Sequence, residues 1–259
     1  MPTALFLSPH LDDVAFSCGG TLLRLTDDPD WRVVLCTIFT ASVPDPQGFA
    51  LRCQTDKGIP PEADYMALRR EEDAAFAAFA NVHDARHWDY REAPHRGYES
   101  PADLFAGVRP EDTLWQSLGD GFGTLSDAIQ PDIVFAPQGL GNHVDHLQTI
   151  RATLAAWPVE RVVWYRDTPY AIREPGARPA GLLRLKDDPF PRRTGLSSAV
   201  LERKIAGCTL YASQIGFQFG GIIPLREKLT AFHEREAAET AAIYAESFLG
   251  HPCVTSLLP

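Results

Sequence analysis

The chain is expected to fold as one α/β domain over residues 1–259, a Rossmann-like three-layer fold with a mostly parallel central sheet. Three observations carry that expectation. Short buried strands alternate with amphipathic helices through most of the chain. The strands read as continuous apolar runs, which marks strands covered on both faces. Polar clusters follow directly on two of these runs, where open α/β sheets bind their ligands.

Residues 4–7 form an apolar strand and residues 14–25 the helix after it. The Gly19-Gly20 pair costs that helix roughly 1 kcal/mol each against Ala and so points to close packing on the sheet. Residues 31–38, rich in β-branched side chains, form the next buried strand, giving a parallel pair with a right-handed crossover. The pattern breaks over residues 40–63 at Pro44, Pro46, Gly48, Gly58, Pro60 and Pro61; a connection of this length is a solvated insertion or a lid. Residues 65–79 have helical period, with Leu68, Glu72, Ala75, Phe76 and Phe79 on one stripe. Residues 86–90 read as a short strand with a polar tip, residues 91–110 as irregular and residues 114–129 as a helix. Residues 132–137 are the best-defined buried strand, and Gln138-Gly139-Leu140-Gly141-Asn142 leads from it to His143. A helix over 147–157, a strand over 159–165, a Pro-rich connection over 175–191 and helices over 199–211 and 231–248 complete the chain.

At 259 residues, 45% hydrophobic and 22% charged, the chain suits a globular enzyme that needs no disulfide or metal merely to fold. Its net charge of -10 disfavours nucleic acid and anionic membrane as main partners, since both require basic patches. Cys18, Cys36, Cys53, Cys208 and Cys253 are scattered without a CxxC pair, the pattern of reduced thiols. No basic segment precedes a long apolar run, so neither signal peptide nor membrane span is expected, and the chain reads as cytoplasmic. A homo-oligomer is compatible with all of this.

The chemistry concentrates in two places. Ser8-Pro9-His10-Leu11-Asp12-Asp13 sets an imidazole and two carboxylates at the exit of a buried strand, costly without a cation or other partner. One Asp there is an ordinary helix N-cap; two beside a His are not so explained. His143-Val144-Asp145-His146 follows another strand and is by itself a weak signal. Together the clusters supply three protein ligands and leave positions open, as a catalytic zinc site does; Fe²⁺ and Co²⁺ suit the same donors. Arg69 lies three residues before Glu72 of the inward stripe, so of Arg69 and Arg70 it is the one expected to face the cleft. Asp89 is a second candidate for binding a polar substrate group, and Trp88 and Tyr90 beside it are either a stacking surface or core.

Pro9-His10-Leu11-Asp12-Asp13 with Cys18-Gly19-Gly20 resembles the (A/P)HPDD(E)…GG signature of the PIG-L (LmbE-like) zinc-dependent N-acetylglucosaminyl deacetylases. His143-Val144-Asp145-His146 resembles that family's HPDH element, and Arg69-Arg70-Glu71-Glu72 its RxxE helix. Lys204, Tyr211-Ala212-Ser213-Gln214 and Glu246-Ser247-Phe248 resemble weaker elements, so the similarity spans most of the chain. Leu11, Val14 and Val144 depart from the usual Pro, Glu and Pro, and Gly141 stands where some members have a Tyr that assists the oxyanion. The resemblance implies that His10, Asp13 and His146 hold zinc and that Asp12 is the general base. It further implies that His143 stabilises the oxyanion as imidazolium or protonates the leaving amine. Asp145 would orient His143, its bland alternative being an N-cap.

The expected function is hydrolysis of the acetamide of an N-acetylglucosamine-containing small molecule. A divalent-metal phosphoesterase would want a second metal and more carboxylates. A nucleotide-binding protein would want G-x-G-x-x-G after the first strand, which is missing. A non-catalytic metal-binding relative would not require Asp12 and His143.

Overall fold

The computed structural model describes residues 1–181, 183, 191–238 and 240–259. Among them the chain begins β1 (Thr3–Ser8), α1 (Asp13–Asp27), β2 (Arg32–Thr37), α2 (Gly48–Thr55), α3 (Tyr65–Phe79) and β3 (Asp84–His87). It continues α4 (Pro101–Phe105), α5 (Leu114–Ile129), β4 (Ile133–Pro137), α6 (Val144–Ala156), β5 (Val162–Tyr165) and α7 (Tyr170–Arg173). It ends β6 (Arg192–Leu196), α8 (Ser198–Cys208), α9 (Ala212–Phe219), α10 (Ile222–Glu236), β7 (Tyr244–Gly250) and α11 (Pro252–Thr255). The strands form one sheet in the order β3-β2-β1-β4-β5-β7-β6. β1 to β5 are parallel, and β7 runs against both its neighbours.

Side chains alternate along each strand, so the apolar runs fill two cores. Phe6, Leu35, Phe135 and Val163 meet Phe16, Leu201 and Ile205 on one face, while Leu7, Val34, Val134 and Trp164 meet Phe122 and Ile150 on the other. Phe6 and Phe135 stack with centroids 4.1 Å apart across β1 and β4. Here the strand order reverses, and the crevice past the carboxyl ends of these two strands is where such sheets take ligands.

α1 is broken at Cys18, whose φ of -133° and ψ of 24° are not helical. The break frees the N–H groups of Gly20 and Thr21, which donate to the Glu246 carboxylate of β7 at 2.9 and 2.7 Å, joined by the Thr21 hydroxyl at 2.6 Å. A Cβ on Gly20 would lie 2.8 Å from Leu196 and 3.0 Å from Glu246, so the glycine is what lets β7 approach. Lys204 of α8 donates to Glu246 at 2.7 Å, to the Ser17 carbonyl at 3.2 Å and to His233 Nε2 at 2.9 Å. His233 in turn donates its Nδ1–H to the Ala245 carbonyl at 2.8 Å. Burial and the neighbouring ammonium push His233 down to about 3, so the ring is neutral.

Several local expectations are corrected. Residues 40–63 contain α2, and the Gln54 amide ties its exit to the carbonyls of Pro60 and Ala63. The helix expected over 231–248 is the end of α10 followed by β7. On α3 the buried stripe is Tyr65, Met66, Arg69, Glu72, Asp73 and Phe76, with Leu68 and Phe79 turned outward. Polar anchors set that rotation: the Tyr211 hydroxyl donates to Asp73 at 2.6 Å and the Ser213 N–H to Glu72 at 2.7 Å. Trp88 packs on Phe122 with centroids 5.2 Å apart, so the aromatic pair beside Asp89 belongs to the core rather than to a stacking surface. Within the Pro-rich connection, residues 182 and 184–190 lie outside the described residues.

Candidate metal centre and active site

The turn after β1 is pinned by Ser8, whose hydroxyl donates to the His10 carbonyl at 2.7 Å and accepts from the Val14 N–H at 3.2 Å. The Asp13 carboxylate then folds back to accept from the His10 N–H at 2.8 Å. This places Asp13 Oδ2 3.2 Å from His10 Nδ1 and 3.2 Å from His146 Nε2. His146 enters from the first turn of α6, carried by the neighbouring strand β4. One ring nitrogen each of His10, His143 and His146 lies within 4.8 Å of the others.

Each candidate ligand ring is held from behind by a carboxylate. His10 Nε2 lies 3.0 Å from Asp145 Oδ2, and His146 Nδ1 lies 2.5 Å from Asp167 Oδ1. Such outer carboxylates fix the ring orientation and raise the basicity of the nitrogen that faces a metal. His146 Nε2 is buried without a hydrogen-bond partner, although Asp13 Oδ2 is close. Ligands about 2.0–2.2 Å from a common ion stand roughly 3–3.5 Å from each other, the separation found here.

The charges agree. Burial alone would discharge both rings, yet Asp13 and Asp145 raise His10 well above the usual imidazole range, and Asp13 and Asp167 raise His146 to about 9. Burial pushes Asp13 upward, but the two imidazoles outweigh it and hold it well below the usual carboxylate range. A divalent cation satisfies such carboxylates in place of the ring protons. His10, Asp13 and His146 therefore fit a divalent metal.

Asp12 and His143 border the same cavity, of about 280 Å³. Burial pushes Asp12 up to about 7 against the pull of the Arg69 guanidinium, whose NH2 lies 3.7 Å from its Oδ2. Burial and the neighbouring His10 push His143 down to about 3. The Asp145 N–H donates to His143 Nδ1 at 3.3 Å, which assigns the proton of this neutral ring to Nε2. The donor this ring offers is therefore a neutral Nε2–H, where an imidazolium was expected. Asp145, expected to orient His143, meets it here through its backbone N–H, while its carboxylate bonds to His10 and accepts from the Ala93 N–H at 3.0 Å and from Arg96 at 2.7 Å. Its burial is outweighed by Arg96 and His10, so it stays ionised.

Arg69 lines the cavity, as expected, and Arg70 turns away to the Thr40 carbonyl and the Ser42 hydroxyl. The Arg69 guanidinium donates to Glu92 at 2.5 Å, and its Nε is buried without a partner. Asp89 is not in the cavity. A β-bridge to Phe39 holds residue 89 at the surface, and the chain reaches the cleft only at Glu92. The carboxylate that lines the cavity from this stretch is Glu92. Sequence reasoning also missed Arg96 and Asp167; a lone acid just past β5 is the only signal the latter leaves.

The PIG-L family profile, described as GlcNAc-PI de-N-acetylase, matches residues 5–157, more than half of the chain. A 2'-N-acetylparomamine deacetylase of Streptomyces fradiae is 29% identical over 221 residues, covering 81% of this chain and 72% of that protein. A 1D-myo-inositol 2-acetamido-2-deoxy-alpha-D-glucopyranoside deacetylase of Mycobacterium sp. (strain KMS) is 30% identical over 171 residues, 63% of this chain and 52% of its own length. Among solved structures, the zinc inhibited form of teicoplanin deacetylase Orf2 superposes with a TM-score of 0.77 at 24% identity, covering 95% of this chain and 97% of that one. That likeness shows the fold; the profile match over residues 5–157, which holds both strand-end clusters, shows that the chain belongs to the PIG-L family.

Proposed function

We propose that the chain is a metal-dependent N-deacetylase that hydrolyses the acetamide of a glucosamine-containing small molecule to a free amine and acetate. The family and its relatives support the reaction; one observation carries the assignment of roles. Asp12, a carboxylate poised near neutrality, lines one cavity with His10, Asp13 and His143, the Nε2 donor, and His146 Nε2 reaches Asp13 Oδ2 at 3.2 Å.

His10, Asp13 and His146 would hold the metal, zinc by preference, with Asp145 and Asp167 fixing the two rings. When bound, a divalent cation supplies Lewis acidity, polarising the amide carbonyl and acidifying a water from about 15.7 towards about 7. Asp12 takes the proton of the attacking water, which its raised pKa suits it to do near pH 7. The proton then passes from Asp12 to the departing nitrogen. His143 Nε2–H donates to the carbonyl oxygen as negative charge develops there, worth roughly 3–4 kcal/mol for such a donor. Being neutral, His143 needs no proton from solvent to act. Arg69 and Glu92 line the cavity where sugar hydroxyls lie.

Acetate release from a panel of N-acetylglucosamine conjugates tests the reading, with metal analysis before and after chelation. Activity that falls with the chelator and returns on adding Zn²⁺, Fe²⁺ or Co²⁺ is the expected result. Zinc is titrated from equimolar upward, because one solved neighbour is a zinc-inhibited form. Turnover unaffected by complete metal removal would refute it.

A further inference from the structure

We propose that Arg96 is a positioning residue of the metal centre: it holds the Asp145 carboxylate on His10, which makes the connection over residues 91–112 a working part of that centre. The inference rests on the reading of His10 as a metal ligand given above. The first ground is where Arg96 spends its guanidinium. Nη1 donates to Asp145 Oδ1 and to the Arg91 carbonyl, each at 2.7 Å, and Nη2 donates to Asp112 Oδ2 at 3.0 Å. The other Asp145 oxygen meets His10 Nε2 and the Ala93 N–H, each at 3.0 Å. Three donors thus fix the plane of a carboxylate that has no exposure. With Nε2 held there, His10 turns Nδ1 towards Asp13. A carboxylate behind a ligand ring sets the direction of that ring, and Arg96 sets the direction of the carboxylate.

The second ground is charge. A buried carboxylate is costly without a cation beside it. An imidazole that holds a metal is neutral, so a ligating His10 does not supply that cation. Among the described residues, the other ion pair of Asp145 is with Arg96, whose guanidinium keeps its charge.

The third ground is that the connection is built inward. Connections of this kind run over the surface, yet Tyr98 has no exposure, and the side chains of Arg96 and Asp112 are only 13% and 11% exposed. The Tyr98 hydroxyl joins Arg96 on Asp112 Oδ2 at 3.0 Å, and the Arg96 guanidinium lies over the rings of Phe39 and Tyr98 at 5.2 and 5.8 Å. The Asp112 carbonyl accepts from the Gln148 amide at 2.8 Å. The connection is therefore fastened twice to α6, the helix that carries Asp145, His146 and Gln148.

The test measures zinc affinity of the metal-free full chain by competition with a chromophoric chelator, so that no substrate enters. Arg96→Met should weaken it about 10–100-fold. Arg96→Lys keeps the charge but replaces the fork by a point donor that serves one carboxylate at a time, and should lose less. The deciding readout is coupling. In an Asp145→Asn background Arg96→Met should cost less than about threefold further, because residues that act through one another do not add. An unchanged affinity in Arg96→Met, or an equal loss in both backgrounds, overturns the inference and leaves the deacetylase reading standing. Lower stability in urea at unchanged zinc affinity marks a merely structural arginine and overturns it too. If Arg96→Met does not fold, Asp112→Asn takes its place. That variant touches neither His10 nor Asp145, and a loss of zinc affinity that vanishes in the Asp145→Asn background supports the inference, whereas no loss overturns it. A parent protein that binds zinc but releases no acetate from the conjugate panel refutes the deacetylase reading alone, while one that binds no divalent metal refutes both.

Discussion

Replacing Glu246 by Gln removes one buried charge at almost constant volume, at a residue outside the cavity lining. Four donors converge on its two oxygens: the Gly20 N–H and the Lys204 ammonium on Oε1, the Thr21 N–H and hydroxyl on Oε2. A Gln amide nitrogen must face one of these pairs, and each donor left without an acceptor costs about 1–3 kcal/mol. Lys204 would also stay buried without its counter-charge, a loss of about 3–5 kcal/mol when one member of such a pair is removed. These costs overlap, so about 3–5 kcal/mol is expected for Glu246→Gln, against a total of about 5–15 kcal/mol for an ordinary domain. Urea denaturation followed by tryptophan fluorescence and far-ultraviolet circular dichroism measures it directly. In a cycle with Lys204→Met, the double variant should lose at least 1 kcal/mol less than the sum of the single losses, since each removes the other's partner. A loss below about 1 kcal/mol for Glu246→Gln, or strict additivity in the cycle, would refute the assignment of this pair as the clamp on α1. The sign with pH follows from its depressed pKa, set by Lys204 and His233 against burial. Its contribution is full above about pH 4.3 and is lost as pH falls through the lower folded value.

Four further outcomes are expected. His233 binds its proton near 3 in the fold and near 6.5 unfolded, so stability is full above about pH 6.5 and falls by up to about 1.4 kcal/mol per pH unit below it; His233→Gln should flatten that slope between pH 5 and 6.5. Asp12→Asn should cut kcat by about 10²–10⁴ at unchanged metal content. In the parent enzyme the rate should rise with pH through a limb below about 7, because Asp12 acts only when ionised and a bound cation lowers its pKa further; persistence of the limb in Asp12→Asn would assign it to another group. His143→Ala should slow turnover by about 10²–10³ with the metal retained, whereas metal loss on dialysis would make His143 a ligand. Asp145→Asn should weaken metal affinity by about 10–100-fold, read by competition with a chelator, through its bond to His10.

The strand-end clusters were legible because their context repeats a physical necessity. An imidazole and carboxylates leaving a buried strand need a partner, and β1 and β4 are neighbours in the sheet. Arg69 was legible from helical spacing alone. Asp89 was not placed correctly because the direction of a side chain past a strand end depends on one bridge, Phe39 to residue 89, which no periodicity records. β7 was hidden by the alanines and acids of the stretch that leads into it, which favour helix locally, until pairing with β5 and β6 overrode them. α2 was hidden by the prolines around it, and the partnership of Asp145 with His10 instead of His143 is a matter of rotamers.

The side chains proposed to hold the ion hang from the ends of β1 and β4, whereas the outer surround of the cavity is contributed by α2, α4 and α9, three short helices set in excursions from the sheet. Hydrolysis and taste are therefore written in separate parts of the chain. Exchange of residues 40–63 or 209–221 with those of a relative can retune what is accepted without touching the reacting groups, so a single scaffold can serve many acetylated molecules through changes at its periphery.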